Sequence, residues 1–486
     1  MSVRAGFVVL ICFVVLMMVA PVSAQVRDPY DVALERIEQA RESGATSLRL
    51  VGLGLEILPL EVLQIADLEI LYLQGNQLTE LPDEIGELSN LQELYLGDNQ
   101  LTHLPSEIGN LTNLLELYIH ENQLTQLPAE IGHLSALQRL TLNNNQLTQL
   151  PAEVGDLTAL EALTLENNLL TYLPAEIGNL SYLQALTLEN NQLTLLPAEI
   201  GNLTALVTLT LGTNQLSQIP SEIGNLSNLS DLTLENNQLT QLPATIGNLV
   251  HLTTLYVYNN QLFQIPQEIG NLTALQTLIL QTNELIQLPP EIGNMINLQT
   301  FSLENNQLTR LPDEIGQLIN LQDLRVGGNQ LQQLPYEVTY LSHLEVLDLG
   351  GNQLTELPRN MDRLTRLQAL LMGSNQLTYL PPEIGNLTNL QNLNFANNQI
   401  TMIPITFIRL KQLRTLGVAH NPLIYPPSEE DEQNLSIYVV RDYLRHPQPY
   451  PPYGMSMQVV GTVLATLLSL VASVFVILRY FRWRFA

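Results

Sequence analysis

The sequence predicts an α/β repeat fold, a curved solenoid whose stacked coils place parallel β-strands along the concave face. The first observation behind this is a 23-residue frame that restarts from Leu68 to residue 412 without insertion or deletion, fifteen repeats in all. The second is the apolar skeleton LxxLxLxxNxLxxLPxxIGxLxx that the repeats share. The third is an asparagine that recurs in every coil from Asn76 to Asn421.

One repeat explains why the coils must stack. Leu71 and Leu73 are separated by a single residue, which is the side-chain period of a short strand with one buried face. Pro82 fixes φ and lacks an N–H, which suits the bend after the strand. The leucines of one coil converge on an interior that a single coil cannot close, so neighbouring coils bury it for one another. We expect the repeated asparagine to be buried and hydrogen-bonded to neighbouring turns.

The N-terminal end predicts export. Residues 1–24 combine Arg4, an apolar core and the small-residue pattern Val22-Ser23-Ala24, which is typical of a cleaved secretory signal peptide. An uncleaved N-terminal anchor is the alternative. Residues 25–67 are then expected to hold a capping helix over 28–43 and a degenerate repeat.

Helical spacing of Val32, Ile37 and Ala40 predicts the inward face of that capping helix. In the degenerate repeat Leu53 stands where the other coils have asparagine. A first coil has no preceding neighbour to pair with a buried amide, so an apolar residue is expected there.

The C-terminal end predicts a membrane anchor. Residues 413–445 are expected to form a partial repeat and a second capping helix over 434–445, and the proline-rich stretch 446–458 a semi-rigid stalk. Residues 459–478 carry no charge, and at about 1.5 Å per residue they would span a bilayer core of roughly 30 Å. A buried soluble helix is the alternative. The arginines of 479–486 predict that this tail is cytoplasmic.

Small residues recur every four positions on one face of the predicted span, at Gly461, Ala465, Ser469 and Ser473. Small side chains permit close contact between helices in a membrane. Homodimerisation through this face is therefore a hypothesis.

Composition disfavours several classes of function. The formal charge is −28 and Lys411 is the only lysine, which argues against nucleic acid as a partner. The single cysteine, Cys12, lies in the signal segment and leaves no disulfide framework. The motifs GxxxxGK[ST], HExxH and GxSxG do not occur, so we expect neither enzymatic activity nor a cofactor or metal centre.

The acidic surplus points to a kind of partner. It favours a cationic protein ligand, or divalent ions that bridge neighbouring carboxylates. A coat that merely keeps the protein soluble is the alternative interpretation.

Exposed strand positions form rows across the coils, with one residue per coil at about 4.8 Å. We expect these rows to contact a protein ligand through Tyr72, Tyr95, Tyr118, His120, Glu166, Glu189, Glu235, Tyr256 and Tyr258. Successive tyrosines are amphipathic and suit an interface, while simple cross-strand stabilisation is the alternative. The threonines that continue the tyrosine row, at 141, 164, 187, 210 and 233, are interpreted as structural.

The repeat LxxLxLxxNxLxxLPxxIGxL resembles the Ras-group class of leucine-rich repeats and its bacterial relatives over residues 45–427. The segment 33–40 is similar to the cap of bacterial Roco-type proteins, and 420–423 (HNPL) to the exit of such arrays. The chain departs from them in having no GTPase unit, and it lacks the cysteine-paired caps of animal and plant receptors, which favours a bacterial surface protein. The resemblance implies ligand binding by the concave strand face without an activity.

These observations predict a single-pass membrane protein with its repeats outside the cytoplasm. Its predicted role is recognition or adhesion through the concave face. The alternative is a passive structural or spacer protein of the cell envelope.

Overall fold

The computed structural model describes residues 28–423. The predicted signal peptide, second capping helix, stalk, span with its small-residue face, and tail all lie outside this range. Within it, no helix is both long enough and apolar enough to cross a membrane.

One α-helix precedes a series of short strands that alternate with 3₁₀ helices. The helix, α1, is Pro29–Ser43. The strands are β1 (Ser47–Arg49), β2 (Ile70–Tyr72), β3 (Glu93–Tyr95), β4 (Glu116–Tyr118), β5 (Arg139–Thr141), β6 (Ala162–Thr164), β7 (Ala185–Thr187), β8 (Thr208–Thr210), β9 (Asp231–Thr233), β10 (Thr254–Tyr256), β11 (Thr277–Ile279), β12 (Thr300–Ser302), β13 (Asp323–Arg325), β14 (Val346–Asp348), β15 (Ala369–Leu371), β16 (Asn392–Asn394) and β17 (Thr415–Gly417).

The 3₁₀ helices form the opposite side of the coils. They are Leu60–Gln64, Asp83–Glu87, Ser106–Asn110, Ala129–His133, Ala152–Asp156, Ala175–Asn179, Ala198–Asn202, Ser221–Asn225, Ala244–Asn248, Gln267–Asn271, Pro290–Asn294, Asp313–Gln317, Tyr336–Tyr340, Met361–Arg363, Pro382–Asn386 and Ile405–Arg409. All but one directly follow the repeated proline, whose extended backbone supplies the bend.

Helix α1 lies where the sequence predicts a helix over 28–43. Asp28 caps its first turn, because its Oδ1 accepts a hydrogen bond from the Tyr30 N–H at 3.0 Å. Its inward face differs slightly from the prediction. Ala33, not Val32, is fully buried with Ile37 and Ala40, and Val32 is half-buried. The small alanine lets the helix approach the first coil closely.

The strands form one parallel sheet in which each pairs with the next along the chain. The register is always 23 residues, as in Leu48 opposite Leu71 and Leu71 opposite Leu94. The middle residue of each strand is buried and its two neighbours face outward. Buried leucines of all described coils form a single core cluster that also includes α1. This is the repeat solenoid that the sequence predicts.

The repeated asparagine is buried in every coil from Asn76 to Asn421. In a typical coil, Oδ1 of Asn191 accepts from the Leu170 N–H of the preceding coil at 3.0 Å. Its Nδ2 donates to the carbonyl oxygens of Leu165 in the preceding coil and Leu188 in its own, at 2.9 and 3.0 Å. One amide thus pairs three backbone groups across a coil boundary.

The same geometry explains the half-buried Leu53. Asn76 already bonds to the first coil, through the Leu53 N–H and the Leu50 carbonyl oxygen. An asparagine at 53 would need a still earlier coil, and α1 occupies that end instead.

Glycine in the IG pair sets how closely the 3₁₀ sides approach. A Cβ on Gly201 would lie within 2.4 Å of the Glu222 carbonyl oxygen in the next coil. Thr339, Asp362 and Ile408 replace this glycine in three of the later coils. The coil that follows Thr339 departs from the pattern: Asn360 takes a left-handed φ of 64° and the 3₁₀ helix shortens to Met361–Arg363.

Removing one of these asparagine amides should lower the stability of the folded repeats. Asn191→Ala leaves the buried Leu170 N–H unpaired, while the carbonyl oxygens of Leu165 and Leu188 each keep one other amide donor, so we expect a loss of about 1–3 kcal/mol in the free energy of unfolding. Urea denaturation of the repeat region, followed by circular dichroism, measures the change. The exposed Asn202→Ala is the matched control and should shift stability by less than about 0.5 kcal/mol. Equal effects of the two substitutions would contradict the role assigned to the buried amide.

Candidate functional site

The candidate site is the strand face, which we define as the outward side of β1–β17 with the residues just after each strand. Two rows matter. The first row holds the third residue of each strand, and the second row holds the residue two positions later. All nine residues that the sequence singles out lie in these rows and are half-buried.

Three tyrosines of the first row form a continuous stack. The ring centroids of Tyr72 and Tyr95 are 4.7 Å apart, and those of Tyr95 and Tyr118 are 4.6 Å apart. The second pair is nearly parallel, with 6° between the ring planes. The Arg49 guanidinium lies 5.3 Å from the Tyr72 ring centre and covers that end of the stack.

Carboxylates beside the stack hold its phenol groups. Tyr95 donates to Glu93 Oε2 at 2.8 Å, and Tyr118 donates to Glu116 Oε2 at 2.5 Å. Arg139 pairs with Glu116, with 3.3 Å between Nη1 and Oε1. Burial, followed by the hydrogen bond to Glu93, raises the pKa of Tyr95 well above the usual value for tyrosine. The stack is therefore a rigid, neutral ridge.

His120 belongs to the second row beside the stack. Its ring lies over Gly97 of the preceding coil, where a Cβ would come within 2.5 Å of its ring atoms. The glycine leaves the room that this imidazole fills. His120 thus extends the aromatic surface toward β3.

The next coils replace tyrosine with threonine. The hydroxyl of Thr164 donates to Asn143 Oδ1 at 3.4 Å. The hydroxyls of Thr210 and Thr233 lie beside the Glu189 carboxylate and act on its pKa as hydrogen-bond donors, opposing the effect of burial. The buried hydroxyl oxygens of Thr141 and Thr187 have no hydrogen-bond partner within residues 28–423. All four oxygens are buried beneath the surface of the strand face.

Three carboxylates of the second row lie beside the threonines. Glu166 and Glu189 are in adjacent coils, and Glu235 lies two coils further on. Gly212 fills the intervening position, and a Cβ there would lie 2.5 Å from Oε1 of Glu235. Glu235 therefore leans across the glycine toward Glu189.

This crowding changes how the carboxylates bind protons. The pKa of Glu189 is raised, first by burial and then by the Glu166 carboxylate. The pKa of Glu235 is also raised, by burial and by Glu189, although a backbone hydrogen bond opposes the shift. The Glu166 charge thus makes the Glu189 carboxylate harder to ionise, and the Glu189 charge has the same effect on Glu235.

Tyr256 and Tyr258 lie at the far end of the threonines. Six coil steps separate Tyr118 from Tyr256, which at about 4.8 Å per step is roughly 29 Å. Burial and the Glu235 and Glu189 carboxylates raise the pKa of Tyr258. The nine candidates therefore form two groups along one face rather than a single cluster.

Several partners of this site escape the sequence reasoning. Arg49, Glu93, Glu116 and Arg139 flank the tyrosines, yet only their contacts reveal that they hold the stack. The signal was present, because Glu93 and Glu116 stand two residues before a tyrosine, on the same face of the strand.

A second charged group occurs further along the strand face. Arg325 pairs with Asp323 at 3.0 Å. The pKa of Asp348 is raised by burial, and the pKa of Glu304 is raised by burial and then by Asp348. Within residues 28–423, however, no three His, Cys, Asp or Glu side chains come together in a way that could hold a metal ion.

The raised pKa of Glu235 predicts a pH-dependent stability difference. A folded-state pKa above the unfolded value means that the folded chain loses stability as pH rises through that interval. Glu235→Gln should therefore unfold at a higher urea concentration than the unsubstituted chain at pH 7. The difference should shrink as pH falls and vanish well below the ordinary glutamate pKa of about 4.3, where the carboxyl is protonated in both states.

The exposed Glu199→Gln is the matched control for this experiment. It removes the same charge from the 3₁₀ side, away from the other carboxylates of the strand face. If both variants showed the same pH dependence, general charge repulsion rather than the crowded strand face would be responsible.

The comparisons with known proteins agree with this architecture. A family model described as Leucine rich repeat matches residues 66–124, 112–170, 135–193, 273–331, 319–377 and 373–423. A second, described as Leucine-rich repeat region, matches residues 208–284. No curated protein matches the chain.

Several solved structures are similar. A leucine-rich repeat protein of Leptospira interrogans is 39% identical, with a TM-score of 0.67; the match covers 82% of this chain and 95% of that one. YopM of Yersinia enterocolitica is 26% identical with a TM-score of 0.58, covering 82% and 84%. The functional domain of InlJ from Listeria monocytogenes, 21% identical with a TM-score of 0.57 and covering 77% and 73%, shares the fold.

The similarity to Roco-type caps stays a prediction. The matched repeats extend over most of the chain, from residue 66 to residue 423, with a short gap between 193 and 208. The chain therefore belongs to the leucine-rich repeat family.

Proposed function

We propose that this protein recognises a protein ligand through its strand face and is displayed outside the cytoplasm on a single membrane helix. The observation that carries the recognition part is the stack of Tyr72, Tyr95 and Tyr118. Nothing in the solenoid core requires these rings, since the core closes beneath them with leucines.

The tyrosine stack has the properties of an interface anchor. Aromatic side chains supply large contact area and concentrate binding energy in interfaces. Ring stacking and the hydrogen bonds to Glu93 and Glu116 already fix the rotamers in the free protein. A ligand therefore loses little affinity to the ordering of these side chains.

Display outside the cytoplasm rests on the sequence of the flanking segments. Residues 1–24 have the pattern of a signal peptide, and 459–478 are uncharged and followed by arginines. The proline-rich stretch 446–458 would hold the repeats away from the bilayer. Pairing of spans through Gly461, Ala465, Ser469 and Ser473 is compatible with this arrangement and is part of the proposal.

Capture by the full-length chain tests recognition. Immobilised in detergent micelles and incubated with envelope and secreted proteins of its source cell, the chain should retain a defined protein. Tyr95→Ala with Tyr118→Ala should weaken that binding by about 2–4 kcal/mol, the range for interface hot spots. Binding to each variant is measured by surface plasmon resonance.

Tyr182→Ala is the matched control, because Tyr182 is 67% exposed and precedes the strand rather than belonging to the stack. It should leave binding unchanged. Retention of no specific protein would favour the passive spacer instead.

Protease accessibility tests display. Protease added to intact cells should degrade the repeats, because the proposed topology places them outside the membrane. Immunoblots against the repeats and against a cytoplasmic marker protein provide the readout. Repeats that survived until the cells were lysed would rule the topology out.

A further inference from the structure

We propose that the 3₁₀ side of the last coils docks on the anionic phospholipid headgroups of the bilayer that anchors the chain. This inference rests on the proposed function, because it needs residues 459–478 to be a membrane anchor. We call the docking surface the basic patch. It consists of the exposed residue directly after the repeated proline and the exposed residue four positions later, in three coils: Tyr336 and Tyr340, Arg359 and Arg363, and Ile405 and Arg409.

The basic patch lies where the charge of the chain changes sign. Residues 357–423 contain six lysines and arginines and only two acidic residues, whereas residues 28–356 contain six against forty. None of the six cations of 357–423 forms an ion pair with a carboxylate of the described chain. Unpaired positive charge at one end of an otherwise acidic chain favours an anionic partner there.

The same positions have a different composition in the earlier coils. After the proline they hold mostly alanine, serine or aspartate, and four residues later mostly asparagine. The position between them carries glutamate in nearly every coil, yet Asn360 and Thr406 replace it on either side of Glu383. The last coils therefore present cationic, aromatic and aliphatic side chains where the earlier coils present small polar and acidic ones.

The two innermost arginines of the patch contact neutral groups. The Arg363 guanidinium lies 5.7 Å from the ring centre of Tyr336 and 5.6 Å from that of Tyr340, and the two rings meet edge to face. Nη1 of Arg409 donates to Oδ1 of Asn386 at 2.8 Å. Neither contact neutralises the charge, and a guanidinium can bind a phosphate through two parallel hydrogen bonds.

Apolar side chains among the cations favour a bilayer over a partner that is only charged. Ile405 is 61% exposed, and Met402 of the same coil is exposed as well. Tyrosine is enriched where a membrane meets water, as Tyr336 and Tyr340 would be on docking. Binding to a membrane surface grows with the apolar area that enters the headgroup region and with the attraction of cations to anionic lipids.

The order of the chain brings the patch to the membrane. The described array ends at Leu423, and residues 424–458 lead to the uncharged stretch 459–478. At about 3.3 Å per residue this connection reaches at most roughly 115 Å, so the last coils are held nearer to the bilayer than the first. Docking through the 3₁₀ side leaves the strand face, on the opposite side of the coils, open to a ligand.

The test places the full-length chain in nanodiscs of phosphatidylcholine with or without phosphatidylglycerol. A donor dye on Thr388→Cys, in a Cys12→Ser background, reports by energy transfer how close the array lies to acceptor-labelled headgroups. Thr388 is exposed and lies two residues beyond the 3₁₀ helix Pro382–Asn386. Transfer should be higher with phosphatidylglycerol and should fall in high salt, which screens exposed charges. Equal transfer in both lipids would overturn the proposal.

Arginine variants locate the docking surface. Arg359→Gln with Arg409→Gln should shift the docking equilibrium roughly thirtyfold toward the undocked state, at about fivefold for each basic residue near an anionic surface. Arg359→Lys with Arg409→Lys keeps the charge and should dock. Circular dichroism checks that each variant folds.

Two further variants complete the test. Arg310→Gln with Arg414→Gln is the matched control, because it removes two exposed arginines that lie off the 3₁₀ side. It should leave transfer unchanged, and an effect equal to that of the patch variant would show that net charge alone is responsible. Ile405→Ser alters no charge and should lower transfer. Unchanged transfer in Ile405→Ser and in the glutamine variant of the patch would overturn the proposal.

Other occupants give distinct results. If phosphatidylglycerol raised transfer only after the acids of 429–432 were replaced by amides, that segment would be the occupant and the proposal would fail. If transfer required two chains in one disc, a second copy would be the occupant, with the same consequence.

The outcome is also separable from that of the proposed function. If added protease spared the repeats on intact cells while phosphatidylglycerol still raised transfer, display would fail and docking would stand. If a captured partner depended on Tyr95 and Tyr118 while transfer ignored the lipid, the proposed function would stand and this inference would fail.

Discussion

The hydrogen bonds of the buried asparagine amides are the constraint on which the remaining structure depends. Each amide of the Asn191 type pairs backbone groups of two coils, so no coil is complete without its predecessor. Because these bonds recur at every boundary, the register between neighbouring strands is fixed at 23 residues throughout the described chain. That fixed register aligns equivalent side chains into rows.

Alignment in rows gives the strand face its chemistry. Whatever residue type repeats in the sequence is placed at the spacing of adjacent strands, whether or not its neighbours attract one another. For Tyr72, Tyr95 and Tyr118 the alignment is favourable, because their rings stack. For Glu166 and Glu189 the alignment is unfavourable, because their negative charges repel each other. A core that closes independently underneath allows the surface to retain an unfavourable arrangement, which is a common property of binding sites.

Much of the fold was predictable from the sequence, because the same local pattern is written in every coil. The strands, the buried asparagine and the proline bend follow from residue type and period alone. The inward position of Ala33 does not, because it depends on how closely α1 can approach the first coil. Nor does the left-handed turn at Asn360, which the repeat pattern does not contain. For the site, the rows were predictable, whereas the lean of Glu235 across Gly212 required side-chain geometry from three coils.

Recognition and stability are coupled in such an array. The stability of a solenoid is approximately a sum of coil terms and nearest-neighbour interface terms, so contacts across coil boundaries stabilise the whole array. A ligand that lies along the axis touches several coils at once and adds a bridge across each boundary between them. A ligand confined to one coil would bridge none. Binding of a ligand across several coils of the strand face would therefore stabilise the folded array at each boundary that the ligand spans.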